Sequence, residues 1–130
     1  MDEGLFLGTE PGQSWPLTPA TLEEQFRQRF PGAFTQRATS GVTGAEALDF
    51  EVPLADGDTH GGSYSETGVL ALTDGPAQLW ADTIVWFLHQ LPPTEPVYAM
   101  REDNPTPRPL PIAARTDPAT LVAFFEELAP

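Results

Sequence analysis

A strict alternation of residue types in the stretch 47–54 is the feature that most limits how this chain can fold. The alternating residues are Leu48, Asp49, Phe50, Glu51, Val52, Pro53 and Leu54. A period of two places the apolar set on one face of a β-strand, so the segment predicts a strand with one buried and one exposed face. Pro53 lacks a backbone N–H, which predicts either an edge position or the end of the strand.

Four other segments are expected to complete a sheet of about five strands. They are the residues 33–39, 63–73, 97–101 and 110–114. Clusters of Asp and Gly at 55–62 and 74–75 are typical of turns, and they predict an antiparallel meander between neighbours in sequence. The proline-rich residues 104–111 are interpreted as a stiff connector, and a proline-rich ligand segment is the less favoured alternative.

Three helices are predicted from their start signals and from apolar periodicity. The first covers about residues 19–30, where Thr18 is a suitable N-cap and Pro19 occupies the first helical position. The second covers residues 76–91 and has the strongest apolar pattern in the chain. The third begins after Asp117, again with a proline next in sequence.

These elements predict an α+β fold with the order α-β-β-β-α-β-β-α. A single antiparallel sheet of about five strands is expected to carry all three helices on one face, which leaves the other face open to a partner. Residues 1–16 are rich in Gly and Pro and are interpreted as an irregular N-terminal arm, and residues 17–130 as a single α+β domain. The arm is expected to dock through Leu5, Phe6, Leu7 and Trp15.

The charge of the chain excludes several classes of partner. Nineteen acidic residues stand against six basic ones, all arginine, and the formal net charge is −13. Such a surface repels phosphate backbones and anionic lipid, so nucleic-acid and membrane binding are not expected. The same charge favours a basic protein partner. Without cysteine or a basic N-terminal leader pattern, a cytoplasmic protein is expected, and the exclusive use of arginine fits a GC-rich bacterial genome.

The second helix is apolar over a wider arc than one packed face needs. On a helical projection, Leu79 and Trp86 lie between the core face and a polar stripe that contains Asp82. Either the N-terminal arm or the last helix covers them, or they form a contact surface for a client or for a second copy of the chain. The three residues are therefore the candidates for partner binding, since Trp is enriched in binding hot spots.

The turn at residues 55–62 contains the only cluster of metal-ligand side chains in the sequence. Asp56, Asp58 and His60 offer two carboxylates and an imidazole, but their spacing does not complete a calcium loop. A flexible hairpin connection is the favoured interpretation. No catalytic residue and no cofactor is predicted, because no nucleophile motif accompanies the histidines.

The predicted element order resembles that of type III secretion chaperones and their non-secretory relatives. Those are small, acidic, often dimeric α+β proteins, and the resemblance implies a surface that holds a client segment. The expectation from the sequence is a non-enzymatic, acidic protein-binding domain, either a chaperone-like adaptor or an immunity-type inhibitor of a basic partner. The alternative is a small ligand-binding or metal-binding α+β protein, or an enzyme, that uses the loop from Asp56 to His60.

Overall fold

The computed structural model describes residues 4–129 and consists of one antiparallel sheet with helices packed on it. The seven strands are β1 (Leu5–Gly8), β2 (Phe34–Thr39), β3 (Glu46–Pro53), β4 (Thr59–Ser65), β5 (Val69–Leu72), β6 (Tyr98–Arg101) and β7 (Asn104–Pro109). The α-helices are α1 (Pro19–Arg29), α2 (Ala77–Leu88) and α3 (Pro118–Glu127), and a single 3-10 helix covers Ile112–Arg115.

The strand order across the sheet is β2-β3-β4-β5-β1-β6-β7, and every neighbouring pair is antiparallel. Strands β2 to β5 form a meander of consecutive hairpins. Strand β1 then lies between β5 and β6, and β7 forms the far edge. The predicted α+β class, the three α-helices and the single antiparallel sheet are therefore confirmed.

All three helices pack on one face of this sheet, which we call the inner face. Phe50 of β3 contacts Phe26 of α1 and Trp80 of α2, with ring centroids 4.4 and 6.3 Å apart. Tyr64 of β4 contacts Phe87 of α2 at 5.7 Å. Helix α3 packs on α2 and on β6. The core lies between the helices and the inner-face residues, which alternate with exposed or half-buried residues along β1, β3 and β5.

The prediction of about five strands was wrong, because the sheet has seven. Residues 5–8, expected within an irregular arm, form β1, an interior strand between β5 and β6. The expected strand 63–73 is a hairpin of β4 and β5, with a turn at Gly68, where φ is +88°. The expected connector 104–111 contains β7, whereas the expected strand 110–114 overlaps the 3-10 helix.

Because of these added and displaced strands, the observed order of elements differs from the predicted order α-β-β-β-α-β-β-α. The observed order is β-α-β-β-β-β-α-β-β, followed by the 3-10 helix and α3. The resemblance to type III secretion chaperones rested on the order predicted from sequence, so the observed topology removes its basis.

Thr18 and Asp117 both stand at the N-cap position of the helices they were expected to begin, but their side chains make different hydrogen bonds. Thr18 Oγ1 accepts the backbone N–H of Thr21 at 3.1 Å, as an N-cap does, and Pro19 follows it. Asp117 is the N-cap residue of α3, where its carboxylate accepts the hydroxyl of Thr120. Helix α2 begins after Pro76 without a side-chain cap.

The segment between β1 and α1 is fixed to the core by aromatic contacts. The Trp15 ring stacks on Tyr64 at 6.3 Å, and its Nε1 donates to the carbonyl of Pro96 at 3.1 Å. The Tyr64 hydroxyl donates to the carbonyl of Leu17 at 2.6 Å, and burial raises the pKa of Tyr64 to about 12.

In the part of the chain that the structure describes, none of the helices has the length and apolar character needed to cross a membrane.

Candidate functional site

The face of the sheet opposite the helices, here the outer face, carries small and apolar side chains in its central strands. The register aligns Ser63, Ala71, Phe6 and Met100 in one row across β4, β5, β1 and β6. The next row across the same strands consists of Ser65, Val69, Gly8 and Tyr98. A sheet residue that does not face the core is normally polar when it faces water. This part of the outer face departs from that pattern.

A groove of about 460 Å³ lies over these rows on the β1 and β6 side. Its walls include Phe6, Val69, Tyr98, Met100 and Pro107. The side chain of Val69 is among the most exposed large apolar groups of the described residues, with 40% of the residue accessible. The volume falls within the range of ligand clefts, roughly 300–1,000 Å³.

Carboxylates lie at two places on the border of this groove. The hydroxyl of Tyr98 donates to Glu10 Oε1 at 3.2 Å, and that hydrogen bond together with the negative charge of Glu10 raises the pKa of Tyr98. Glu102 accepts the N–H of Gly4 at 3.2 Å, and a Cβ built on Gly4 would be equally close to Glu102 and to the Phe6 ring. The groove is thus apolar within and acidic at its rim.

A third group of acids lies on the outer face of β3. Asp49 is paired in register with Ser63, and Glu51 is paired with Gly61, so both carboxylates point to the same side of the sheet as the groove. Both residues are exposed. The small residues of β4 and β5 separate these acids from the groove, which leaves an open path across the sheet between two acidic borders.

The predicted metal candidates are arranged around His60, whose two ring nitrogens both contact carboxylates. Nε2 lies 2.8 Å from Asp56 Oδ2, and Nδ1 lies 2.5 Å from Asp74 Oδ1. Asp58 contributes its backbone N–H to Asp56 Oδ1 at 3.0 Å. No group of three His, Cys, Asp or Glu side chains within residues 4–129 is arranged to hold a metal ion. Whether the loop binds a metal stays a prediction, but its imidazole has no free nitrogen in this arrangement.

The electrostatics of this cluster favour an imidazolium held between two carboxylates. Burial lowers the pKa of His60, but the hydrogen bonds to Asp56 and Asp74 and their negative charges outweigh it, so the net pKa is raised. The pKa of Asp56 is lowered by the backbone N–H of Asp58 and by His60. Asp74 was not predicted from sequence, since it lies 14 residues from His60 and meets it only through the β4–β5 hairpin.

The predicted partner-binding residues all lie on one stripe of α2. Asp82 is exposed, whereas Leu79 and Trp86 are half-buried. The Trp86 ring contacts Phe26 of α1 at 5.2 Å, and the guanidinium of Arg29 lies 5.2 Å from its centroid. Helix α1 thus packs against Trp86. The N-terminal arm and the last helix had been named from the sequence as possible covers, but α1 had not. A role of the three residues in partner binding stays a prediction.

Comparison with known proteins finds no matching family model, no matching curated protein and no matching solved structure.

Proposed function

We propose that this chain is a non-enzymatic protein-binding domain that captures a basic polypeptide segment with apolar side chains. The observation that carries the proposal is the apolar groove on the outer face of a protein with net charge −13. Such a domain would act either as an adaptor for the basic partner or as its inhibitor.

The first step is the character of the groove itself. Contiguous apolar surface on a small soluble domain marks a binding site more often than scattered apolar residues do. Here Phe6, Met100 and Val69 come from three different strands, yet the register of the sheet brings them to one face. A segment that inserts apolar side chains between them would remove this surface from water, at about 25 cal/mol per Å² of apolar area.

The second step is the charge around the groove. Glu10 and Glu102 lie at its rim, and Asp49 and Glu51 face the same side of the sheet. A field of one sign accelerates association with a partner of the opposite sign and disfavours acidic partners. Lysine or arginine residues that flank the apolar side chains of the partner would lie opposite these carboxylates.

The third step concerns the polar groups near the two candidate sites. The Tyr98 hydroxyl at the groove already donates to Glu10, and His60 in the alternative site has both nitrogens engaged by carboxylates. Neither group is arranged as an available general base. The geometry therefore favours binding over catalysis.

A panel of fluorescently labelled peptides tests the proposal. One peptide alternates lysine with leucine or phenylalanine, a second replaces the lysines by glutamate, and a third replaces the apolar residues by serine. We expect fluorescence anisotropy to detect binding of the first peptide alone, with an affinity that falls as salt rises, because salt screens the attraction.

The matched variants are Val69→Glu in the groove and Val42→Glu outside it. Val42 is 95% exposed in the turn between β2 and β3, so the same change in charge and size is made away from the groove. We expect Val69→Glu to weaken binding by at least about tenfold, because it replaces apolar contact surface in the groove with a polar group that must lose its water on binding, and Val42→Glu to have little effect. Equal binding by both variants, or no binding of any peptide, would contradict the proposal.

A further inference from the structure

The two edges of the sheet differ in their capacity to pair with another strand. At the β7 edge, Leu110 N–H donates to Val97 O, so the alternation of an antiparallel ladder turns the nitrogen of Pro109 away from β6, and the pairing then shifts register between Ala99 and Arg101. Proline nitrogen has no hydrogen to donate. This edge is therefore protected from further pairing, in the way that natural sheets protect their edges.

The β2 edge has no such protection. Ser40 N–H donates to Ala45 O, and Glu66 N–H donates to Glu46 O, which fixes the alternation along the β2–β3 pair. The backbone groups of the even residues 34, 36 and 38 then face β3. Those of Thr35, Arg37 and Thr39 face outward, unpaired by any other strand of the described chain. The strand contains no proline, and all its residues except Thr35 are exposed.

We infer that this edge is a dimerisation surface, on which β2 of a second copy pairs antiparallel with β2 about a two-fold axis at Gln36. Two registers use most of the strand, one centred on Gln36 and one on Arg37. Centring on Arg37 would place two like charges directly opposite each other, which is unfavourable. Centring on Gln36 places the two amides opposite each other and lets Thr35 of each copy exchange hydrogen bonds with Arg37 of the other.

The same register covers exposed apolar surface. Phe34 is 56% exposed and points to the outer face. In the register centred on Gln36, it lies opposite Ala38 of the second copy, since cross-strand partners point to the same side. The pairing therefore covers one of the most exposed aromatic side chains of the described chain and uses the outward N–H and C=O groups at the same time.

The charge distribution favours this edge for self-association. Residues 17–45 contain three of the six arginines and two of the nineteen acids, for a net charge of +1, which leaves −14 for the rest of the chain. Two copies of a strongly acidic protein repel each other least where their own positive charges lie. Arg27 and Arg37 lie near this edge and both contact Glu23. On the outer face, however, Asp49 and Glu51 of β3 lie beside Gln36 and Phe34, so the positive charge adjoins only the inner-face side of β2.

A cysteine crosslinking experiment on the full chain tests the register, because the sequence has no cysteine of its own. At the axis, a non-hydrogen-bonded pair has a Cα–Cα distance of about 4.5 Å, within the range that a disulfide spans. We expect Gln36→Cys to form a disulfide-linked dimer under mild oxidation. Ala38→Cys should not, because its two copies would lie about 13 Å apart along the strands. Thr106→Cys at the β7 edge should also remain monomeric.

Sedimentation equilibrium of the unmodified chain tests the association itself, from micromolar to millimolar concentration. We expect a monomer–dimer equilibrium that becomes tighter as salt rises, because screening reduces the repulsion between two acidic bodies. Gln36→Lys, which places two ammonium groups at the axis, should weaken the dimer at least about tenfold, and Thr106→Lys should leave it unchanged.

Three results would overturn the inference. They are a monomer at every concentration, equal crosslinking of the three cysteine variants, and a dimer that Gln36→Lys does not weaken. The predicted salt dependence is opposite to that of basic-peptide binding at the groove, so the two surfaces are tested independently.

Discussion

Replacing Gly62 with alanine tests the cross-strand register of β3, β4 and β5. Gly62 lies opposite Phe50 in β3 and Leu72 in β5. A Cβ at this position would lie 2.5 Å from the carbonyl oxygen of Ala71 and 2.7 Å from Cζ of Phe50. Both distances are well inside the optimum of about 3.5–4.0 Å for non-bonded carbon contacts. Both the Phe50 ring and the β5 backbone, or the β4 backbone at this position, must therefore move.

Neither neighbour can move freely. The Phe50 ring stacks on Phe26 of α1 at 4.4 Å and is 2% exposed, so its displacement would disturb the packing of the helix. Extra methyl groups in such a core cost about 1–3 kcal/mol. Alanine has less conformational entropy than glycine in the unfolded chain, which offsets about 0.4–1 kcal/mol of that cost. We expect Gly62→Ala to lower the free energy of unfolding by about 1–2 kcal/mol, and Tm by roughly 3–10 °C.

Gly61→Ala is the matched control at the adjacent position. Its Cβ would have the carbonyl oxygen of Phe50 as nearest neighbour at 3.4 Å, which is an ordinary contact. We expect a stability equal to that of the unmodified chain or higher by up to about 1 kcal/mol. Urea unfolding followed by tryptophan fluorescence measures both variants. A difference between them smaller than about 0.5 kcal/mol would refute the register-based reasoning.

Two further predictions concern buried or partly buried polar groups. Tyr64→Phe removes the donor to the buried carbonyl of Leu17 and should lower the free energy of unfolding by about 1–2 kcal/mol in urea melts; an unchanged midpoint would contradict the hydrogen bond. His60, held by Asp56 and Asp74, has a raised pKa, so its contribution to stability is complete below its unfolded pKa of about 6.5 and is lost as pH rises through the folded value. The stability difference between the unmodified chain and His60→Gln should therefore shrink as pH rises above about 6.5, and a difference that grows would contradict the raised pKa.

The elements that the sequence predicted best are those specified by local signals. Helix α1 begins at Pro19 behind the Thr18 cap, as expected, because an N-cap hydrogen bond involves only residues a few positions apart. Residues 47–53 of the predicted strand 47–54 lie in β3, whose inner positions are buried in the core. In both cases the pattern within one segment determines the structure without reference to distant residues.

The candidate surface could not be predicted in the same way, because it exists only through long-range pairing. Strand β1 is four residues long and lacks a clear period, yet its Phe6 is brought between Ala71 and Met100 by strands that are more than sixty residues away. Asp74 reaches His60 only after the hairpin forms. The same limit applies to Trp86, for which the sequence left open a cover by the N-terminal arm or the last helix and a contact surface for a partner, and whose ring packs against α1. A single sequence contains no spacing rule for such contacts.

The prolines of 104–109 led to the prediction of a connector, although the segment forms the edge strand β7. The reason for that error also bears on the opposite edge of the sheet. Proline is excluded from central strands because its nitrogen cannot donate to a neighbour. At an edge, every second nitrogen faces away from the sheet, so Pro109 removes only a donor that β6 does not use. Read with this alternation, the segment indicates an edge strand that is closed to further pairing. The absence of proline from β2 then becomes informative, because its outward donors at Thr35, Arg37 and Thr39 have been left available for another strand.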